Sequence, residues 1–485
     1  MSVALIHYHL RPGGVTRVIE AQSEALSRAG IAHVILSGTA PEGPARLPVT
    51  VVPSLDYHKI GEREGADSPQ LFRELRQAAG QALNAEPDCW HFHNPTLGKN
   101  GGFPGLLASM AGSKTPLALH LHDFAEDGRP ENYENLLPHE HLYPLAPQIR
   151  YLTVNSRDQA ILLSSGVPAE QTMLLPNAVR APAESPRATR ESGDPFVLYP
   201  VRGIRRKNLG EFCLLSALAP PGTSFALALA PVNPAWRPIY DQWTQAAKQY
   251  HLPVEMGVVG RSSPRDDMDS SYASWLAHST HLVTTSIAEG FGLSFLEPLA
   301  QGRPLLGRNL PEITSHFVPD DVNLGALYQE LLIPRTWVSE NHLRALLRDH
   351  LRHLYHSCGE SLPDRIITET LATLDRGRFL DFGNLPEELQ LEIFPRALLS
   401  PGDLLINDGS SSLPATEWLA EALEQDVLPA APEALEPYSI AHYAEAHQAL
   451  YRELTSATPS NPTWLDRRAV LGQFLTPERF HFLRS

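Results

Sequence analysis

Cysteine is scarce. The 485-residue chain has three, Cys89, Cys213 and Cys358, far apart and odd in number. That count excludes a disulfide framework and fits no zinc-ligand spacing, as expected of a chain from a reducing compartment. Positive charge is in deficit, with 39 Lys and Arg against 55 Asp and Glu and a net charge of −16. Proteins that hold nucleic acid or anionic membranes normally carry a basic excess, so neither is the expected partner. No stretch approaches the roughly 18 to 20 apolar residues needed to span a bilayer. The opening MSVALIHYHL has too short an apolar run and no basic flank for a signal sequence, so a soluble, cytoplasmic protein is expected. Repeats of solenoid period and low-complexity tracts are also missing. What the chain does have is 42% hydrophobic residues, enough for sizeable cores, and 43 prolines, which favour many short elements. Its length predicts two or three domains.

Over the first 180 residues, short apolar runs alternate with amphipathic segments. Residues 3–7, 33–36, 89–93, 117–122 and 151–154 read as strands, and 16–29 as a helix stopped by Gly30. Strands alternating with helices predict parallel βαβ units and a doubly wound sheet. Residues 181–194 have no apolar periodicity and read as a linker. The pattern then restarts, with strands at 196–199, 225–230, 254–259 and 281–285 and helices at 208–217 and 292–301. The expected organisation is an N-terminal domain 1–180, the linker 181–194 and a second domain 195–320. A mainly helical extension or insertion follows over 321–437. Residues 438–485 close the chain, with an amphipathic helix over 438–455. Two such sheets would face a central cleft, because ligands of open α/β sheets sit beyond the carboxyl ends of the strands.

Three motifs carry chemistry. In EGFGLSFLE, Glu289 and Glu297 bracket a turn containing Gly290 and Gly292 that follows a strand and opens a helix. The glycines permit close backbone approach, and the helix start suits phosphate. The same run is compatible with a helix cap and a solvated Glu. In VRGIRRKN, Arg202 and Lys207 lie in a loop with four cations in six residues, able to grip a diphosphate or to form a solvated basic face. Gly13 and Gly14 follow the first strand, a weak nucleotide-like signature without the full glycine pattern. Four His-x-His pairs (7/9, 91/93, 120/122, 139/141) add to these, three of them at predicted strand ends, where i and i+2 face one way. Asp123 is the best carboxylate for a metal among them. The favoured readings are cleft histidines touching hydroxyls or buried structural histidines, so no metal is expected.

Together these residues resemble the retaining nucleotide-sugar glycosyltransferases of the GT-B fold, in glycosyltransferase family 4. Residues 286–312 match that group's E-x7-E segment with its Gly-x-Pro and Pro-Glu tail. Arg202 and Lys207 have the offset of its Arg/Lys pair. His122-Asp123 resembles its His-Asp. Leu175-Pro176-Asn177 resembles its Ile-Pro-Asn-Gly, with Ala178 in place of the glycine. The resemblance spans about residues 1–315 plus the 438–455 helix, which would cross back onto the first domain; 320–435 has no counterpart.

The resemblance implies an α/β fold of two Rossmann-like domains around a central cleft. It implies transfer of a hexosyl group from a nucleotide diphosphate sugar, a co-substrate rather than a cofactor, to a hydroxyl acceptor with retention of configuration. Arg202 and Lys207 would hold the diphosphate, and the backbone of Gly290, Phe291, Gly292 and Leu293 would meet phosphate or sugar. Glu289 would contact the sugar, Glu297 the ribose, and Gly13 and Gly14 the phosphates or acceptor. His122 would sit near the reacting carbon. His9, His93, Asn94, Lys99 and Asp123 would line the acceptor side. The alternatives are a nucleotide-sugar epimerase or phosphorylase on the same fold, or a non-catalytic sugar- or nucleotide-binding protein.

Overall fold

The computed structural model describes residues 1–41, 47–58, 68–179, 194–261, 271–315, 317, 323–425 and 435–484. Apart from Asp194, the segment expected to be a linker lies outside the described residues. The chain divides into two compact units. The first comprises residues 1–179, 352–362 and 436–479; the second comprises 180–351, 363–435 and 480–485. The sequence reading kept 321–437 and 438–485 as two continuous blocks. The structure instead gives 352–362 to the first unit and the last six residues to the second.

The first unit is built on a seven-stranded parallel sheet. Its strands are β1 (Ser2–His7), β2 (Ala32–Ser37), β3 (Val49–Val51), β4 (Cys89–His93), β5 (Leu117–Leu121), β7 (Ile149–Thr153) and β8 (Thr172–Leu174), in the order β3-β2-β1-β4-β5-β7-β8. The short β6 (Pro144–Leu145) pairs instead with Thr463–Trp464. Strand periodicity divides the side chains between two cores. Ala4, Ile6, Trp90, Phe92, Leu119 and Leu121 pack under helices Ser68–Leu83 and Phe103–Gly112. Val3, Leu5, Cys89, Ala118 and Leu152 face the other way, against helices Gly14–Arg28 and Ile440–Ser456. These two helices supply Ile19, Ala25 and Leu26, and Tyr443, Leu450, Tyr451 and Leu454. Both faces are covered, as a parallel sheet requires.

The second unit holds a six-stranded parallel sheet. Its strands are β9 (Phe196–Arg202), β10 (Ser224–Leu229), β11 (Val254–Met256), β12 (His281–Thr284), β13 (Leu305–Arg308) and β14 (Ala326–Tyr328), in the order β11-β10-β9-β12-β13-β14. The expected helices appear at Leu209–Leu218 and Leu293–Ala300. The stretch expected to be mainly helical contains, besides helices Glu340–Ser357, Asp364–Leu374, Glu387–Leu399 and Ala415–Glu424, a four-stranded antiparallel sheet. Its strands are β15 (Glu330–Pro334), β16 (Phe379–Asp381), β17 (Leu405–Asn407) and β18 (Ser412–Pro414), in the order β16-β15-β17-β18. Three of the four strands are only three residues long. Period-2 alternation has no room to show in so few residues.

One buried guanidinium joins this sheet to the parallel one. Arg308, at the end of β13, makes two bonds to Glu211 of helix Leu209–Leu218 at 2.9 and 2.6 Å. It makes two more to Asp381 of β16, at 2.9 and 2.8 Å, and one to the Gln329 carbonyl at 2.8 Å. The Tyr328 hydroxyl donates to Glu211 as well. Burial raises the Glu211 carboxyl above its usual range, with Arg308 opposing. A buried ion pair survives only when its remaining polar atoms are also met, as happens here.

Candidate active site

In the second unit, sheet order reverses at β9 and β12, which are neighbours. Crevices of open α/β sheets form at such a switch point, beyond the carboxyl ends of the strands. The loop after β9 is a single 3-10 turn, Arg205–Lys207, closed by Asn208 in the left-handed region at φ 49°. It brings Lys207 back to the loop after β12, where the ammonium pairs with Glu289 and donates to the Ser286 hydroxyl at 3.1 Å. The two loops are also joined by Ile287 N–H donating to the Arg206 carbonyl at 3.0 Å. Below them, the Tyr199 hydroxyl meets Ser286 at 2.8 Å and Thr285 donates to the Lys207 carbonyl at 2.8 Å. Only about a tenth of each partner's side chain is exposed, 10% for Lys207 and 11% for Glu289. Burial pushes the Glu289 carboxyl up, but Lys207, Arg206 and the hydrogen bonds together hold it below its usual value. It is therefore an anion at neutral pH. Burial lowers the Lys207 ammonium, and Glu289 and Glu297 oppose that shift.

Lys207 thus pairs with Glu289, and the Glu297 carboxylate adds to the negative charge acting on the same ammonium. Arg202 ends β9, in register with Leu229. After Lys207, the cation that weighs most on Glu289 is Arg206, which the sequence reading passed over. Ser286 and Tyr199 were also missed, since neither stands out from a loop and a strand until β9 and β12 are known to adjoin. Gly292 caps helix Leu293–Ala300 at φ 89°, where a Cβ would come within 2.8 Å of Ile313. Phe291 beside it packs edge-on against Phe317, with ring centroids 5.2 Å apart, and Gly290 is half-buried. Glycine at 292 is required by backbone hand and by space alike.

The first unit has a matching switch point between β1 and β4. Here the His-x-His pairs converge. His91 and His93, like Cys89, face helices Gly14–Arg28 and Ile440–Ser456, as do His120 and His122 in phase with Ala118. The Tyr451 hydroxyl meets His91 Nδ1 at 2.8 Å, and His91 Nε2 meets His120 Nδ1 at 3.2 Å. In parallel, Gln22 Oε1 accepts from His93 Nε2 at 2.8 Å, and His93 Nδ1 meets His122 Nε2 at 2.8 Å. Ring nitrogens of His91, His93 and His120 lie within 4.8 Å of one another, the one metal-like grouping among the described residues. Of these three, only His120 has a nitrogen, Nε2, without a hydrogen-bond partner.

Asn94, at φ 55°, accepts from the His122 and Asp123 amides at 2.7 and 3.1 Å and so joins the ends of β4 and β5. Asp123 pairs with Arg129 at 2.5 Å. Tyr57, 42% exposed, stands edge-on to His9 at 4.6 Å between centroids, and Lys99 Nζ lies 5.5 Å over its ring. Tyr57 and the Gln22–Tyr451 bridge were invisible to the sequence reading. Gly13 and Gly14 open helix Gly14–Arg28 with extended backbone at Gly13. A Cβ at Gly14 would meet nothing within 4 Å. The fold itself asks for glycine at neither position.

Burial holds these imidazoles neutral. It takes His7 down to about 3, helped by His9, and His122 to about 4, with Asp123 opposing. His91, His93 and His120 lie well below 6.5 for the same reason. Unfolded histidine titrates near 6.5, so between about pH 6.5 and 4 the unfolded chain binds more protons than the native one. Stability is then complete above about 6.5 and is lost as pH falls towards 4, by up to about 1.4 kcal/mol per pH unit for each histidine. Melting curves at pH 7.5, 6 and 5 should show a steep fall, and a flat profile would show that the cluster is not held neutral.

Residues 13–178 match the family model described as a glycosyl transferase 4-like domain. Mannosylglucosyl-3-phosphoglycerate synthase of Petrotoga mobilis is 26% identical over 386 residues, covering 70% of this chain and 75% of that one. Sucrose-phosphate synthase from Thermosynechococcus elongatus superposes with a TM-score of 0.56 at 16% identity, over 94% of this chain and 100% of the other. A glycosyltransferase from Rickettsia africae does so at 0.51 and 11%, over 94% and 99%. At these identities the superpositions establish the fold, and the family match and the curated relative establish the activity class. The two switch-point sheets and the structural likeness give the chain a GT-B fold, and the match over residues 13–178 and the curated relative support a glycosyltransferase similar to those of family 4.

Proposed function

We propose that the chain transfers a hexosyl group from a nucleoside diphosphate sugar to a hydroxyl of a small soluble acceptor, with retention of anomeric configuration. The observation that carries this reading is the Lys207–Glu289 pair at the switch point of the second sheet. Before donor binds, the buried ammonium is neutralised by a carboxylate. An arriving diphosphate offers Lys207 a stronger anionic partner and frees Glu289 to accept hydrogen bonds from the sugar's hydroxyls. Arg202 joins Lys207 on the diphosphate, and Glu297 takes the ribose. The backbone from Gly290 to Leu293 approaches phosphate or sugar. Positive groups fixed in advance stabilise the departing diphosphate without reorganising, so a metal is not needed for that task.

On the first unit, His122 is the residue assigned to the reacting carbon, and Gly13 and Gly14 are assigned to donor or acceptor. His9, His93, Asn94, Lys99 and Asp123 receive the acceptor, with Tyr57 as a platform for a sugar ring. The name of the Petrotoga relative describes a phosphorylated glycoside. Lys99 over Tyr57 supports an acceptor of similar chemistry, a sugar carrying an anionic group.

The test begins with a thermal-shift panel of nucleoside diphosphates and their sugars. A specific ligand at about 100 times its Kd adds about 2.7 kcal/mol, and the base giving the largest rise identifies the donor. That donor is then incubated with phosphorylated and neutral sugars, and the product's anomeric proton is read by NMR. A new glycoside of the donor's own configuration, with free nucleoside diphosphate, is expected. An inverted product removes retention; an epimerised donor or a sugar phosphate with no glycoside removes the transferase reading.

A further inference from the structure

Residues 480–484 belong to the second unit although the helix before them, Arg467–Phe474, belongs to the first. They form a compact plug. Leu483 N–H donates to His481 Nδ1 at 3.2 Å, and Arg484 N–H donates to the His481 carbonyl at 3.0 Å. Phe482 is fully buried and stands edge-on to His350, with ring centroids 5.1 Å apart. Leu483, 1% exposed, packs in one cluster with Ile287 and Ala288, the two residues immediately before Glu289. Arg484 donates to Glu312 at 2.9 Å, anchoring the plug on helix Pro311–Thr314.

We infer that this segment is a positioning element for the donor loop: Leu483 backs residues 287–288 and so sets where the Glu289 carboxylate lies. The inference rests on the donor-site reading above. The loop 285–292 has no regular secondary structure of its own. It is fixed on one side by Lys207 and the Arg206 carbonyl. Leu483 packs on Ile287 and Ala288, and its removal leaves the backbone before Glu289 free to shift. A displacement of about 1 Å at a reacting group can cost on the order of a hundredfold in rate.

The test uses Leu483→Ala, with Leu483→Met as the volume-conserving control and a chain ending at Arg479 as the full deletion. In Leu483→Ala, a loss of about ten- to a hundredfold in kcat/KM for the donor is expected, with the acceptor KM unchanged. Leu483→Met should restore most of it. Hydrogen exchange of the 286–292 amides should quicken in Leu483→Ala while exchange of the β9 and β12 amides stays as in the parent. Wild-type donor kinetics and unchanged loop exchange in Leu483→Ala would overturn the inference. So would an equal acceleration across β9 and β12, which marks general destabilisation. Should the shortened chain fail to fold, the point variants still decide. Exchange does not depend on turnover: a parent that transfers no sugar defeats the functional reading, while the loop measurement still tests the plug.

Discussion

Glu289→Gln is expected to lower kcat by roughly 10²–10³-fold, the scale of removing one preorganised electrostatic contact at a reacting centre. The amide keeps the shape of the carboxylate and can still accept from Lys207, but the buried ammonium loses its neutralising charge, so a lower melting temperature is expected beside the kinetic effect. The carboxylate is held ionised by Lys207 and Arg206 against the cost of burial, an arrangement whose purpose is charge rather than packing. Lys207→Met removes the other half and should raise the donor KM as well, because the ammonium is assigned to the diphosphate. It also leaves a buried carboxylate with Arg206 as its chief cation, so part of its effect will appear as lost stability. Steady-state kinetics beside melting curves separate the two. Parental turnover in Glu289→Gln would end the donor-site assignment.

Glu211→Ala should have the largest effect on stability. Glu211 is completely buried and receives Arg308, Tyr328 and Asn208. Deleting it strands a guanidinium that keeps only Asp381 and one carbonyl. Removing one member of such a buried set costs about 3–5 kcal/mol. For a unit of about 250 residues that amounts to a fall on the order of 10 °C in its melting transition. Calorimetry should place the loss in the second unit, with the kcat of the surviving folded enzyme unchanged. A fall of only a degree or two would mean that the helix Leu209–Leu218 and the antiparallel sheet are held together by apolar packing alone.

The contrast between these two carboxylates explains how far the sequence could be read. Glu289 stood out because glycines, a strand and a second acid surround it at a spacing that local geometry interprets. Glu211 did not, because Arg308 and Tyr328, which hold it, come from β13 and β14, 97 and 117 residues away, and no local pattern joins them. Both parallel sheets were readable for the same reason as Glu289: each βαβ unit repeats a local alternation of apolar run and amphipathic helix. The antiparallel sheet was not, since Leu405–Asn407 and Ser412–Pro414 are too short to alternate. The His-x-His pairs could be placed at strand ends, but Gln22 and Tyr451, which order them, come from helices hundreds of residues apart in the chain. Arg206 was legible as one of four cations within six residues. That its charge acts on Glu289 became visible only with the 3-10 turn that brings this loop to the loop after β12.

The first unit's dependence on residues 436–479 has a consequence for how the protein is made. The ribosome delivers β1 to β8 first, yet the helix that covers Val3, Leu5 and Ile19 and orients His91 through Tyr451 is synthesised hundreds of residues later. Until then one side of a nearly finished sheet stays bare, with an apolar surface and a row of half-satisfied imidazoles facing water. Folding of this unit is therefore completed only once that distant helix has been made, and until then the nascent chain depends on whatever shields that side from aggregation.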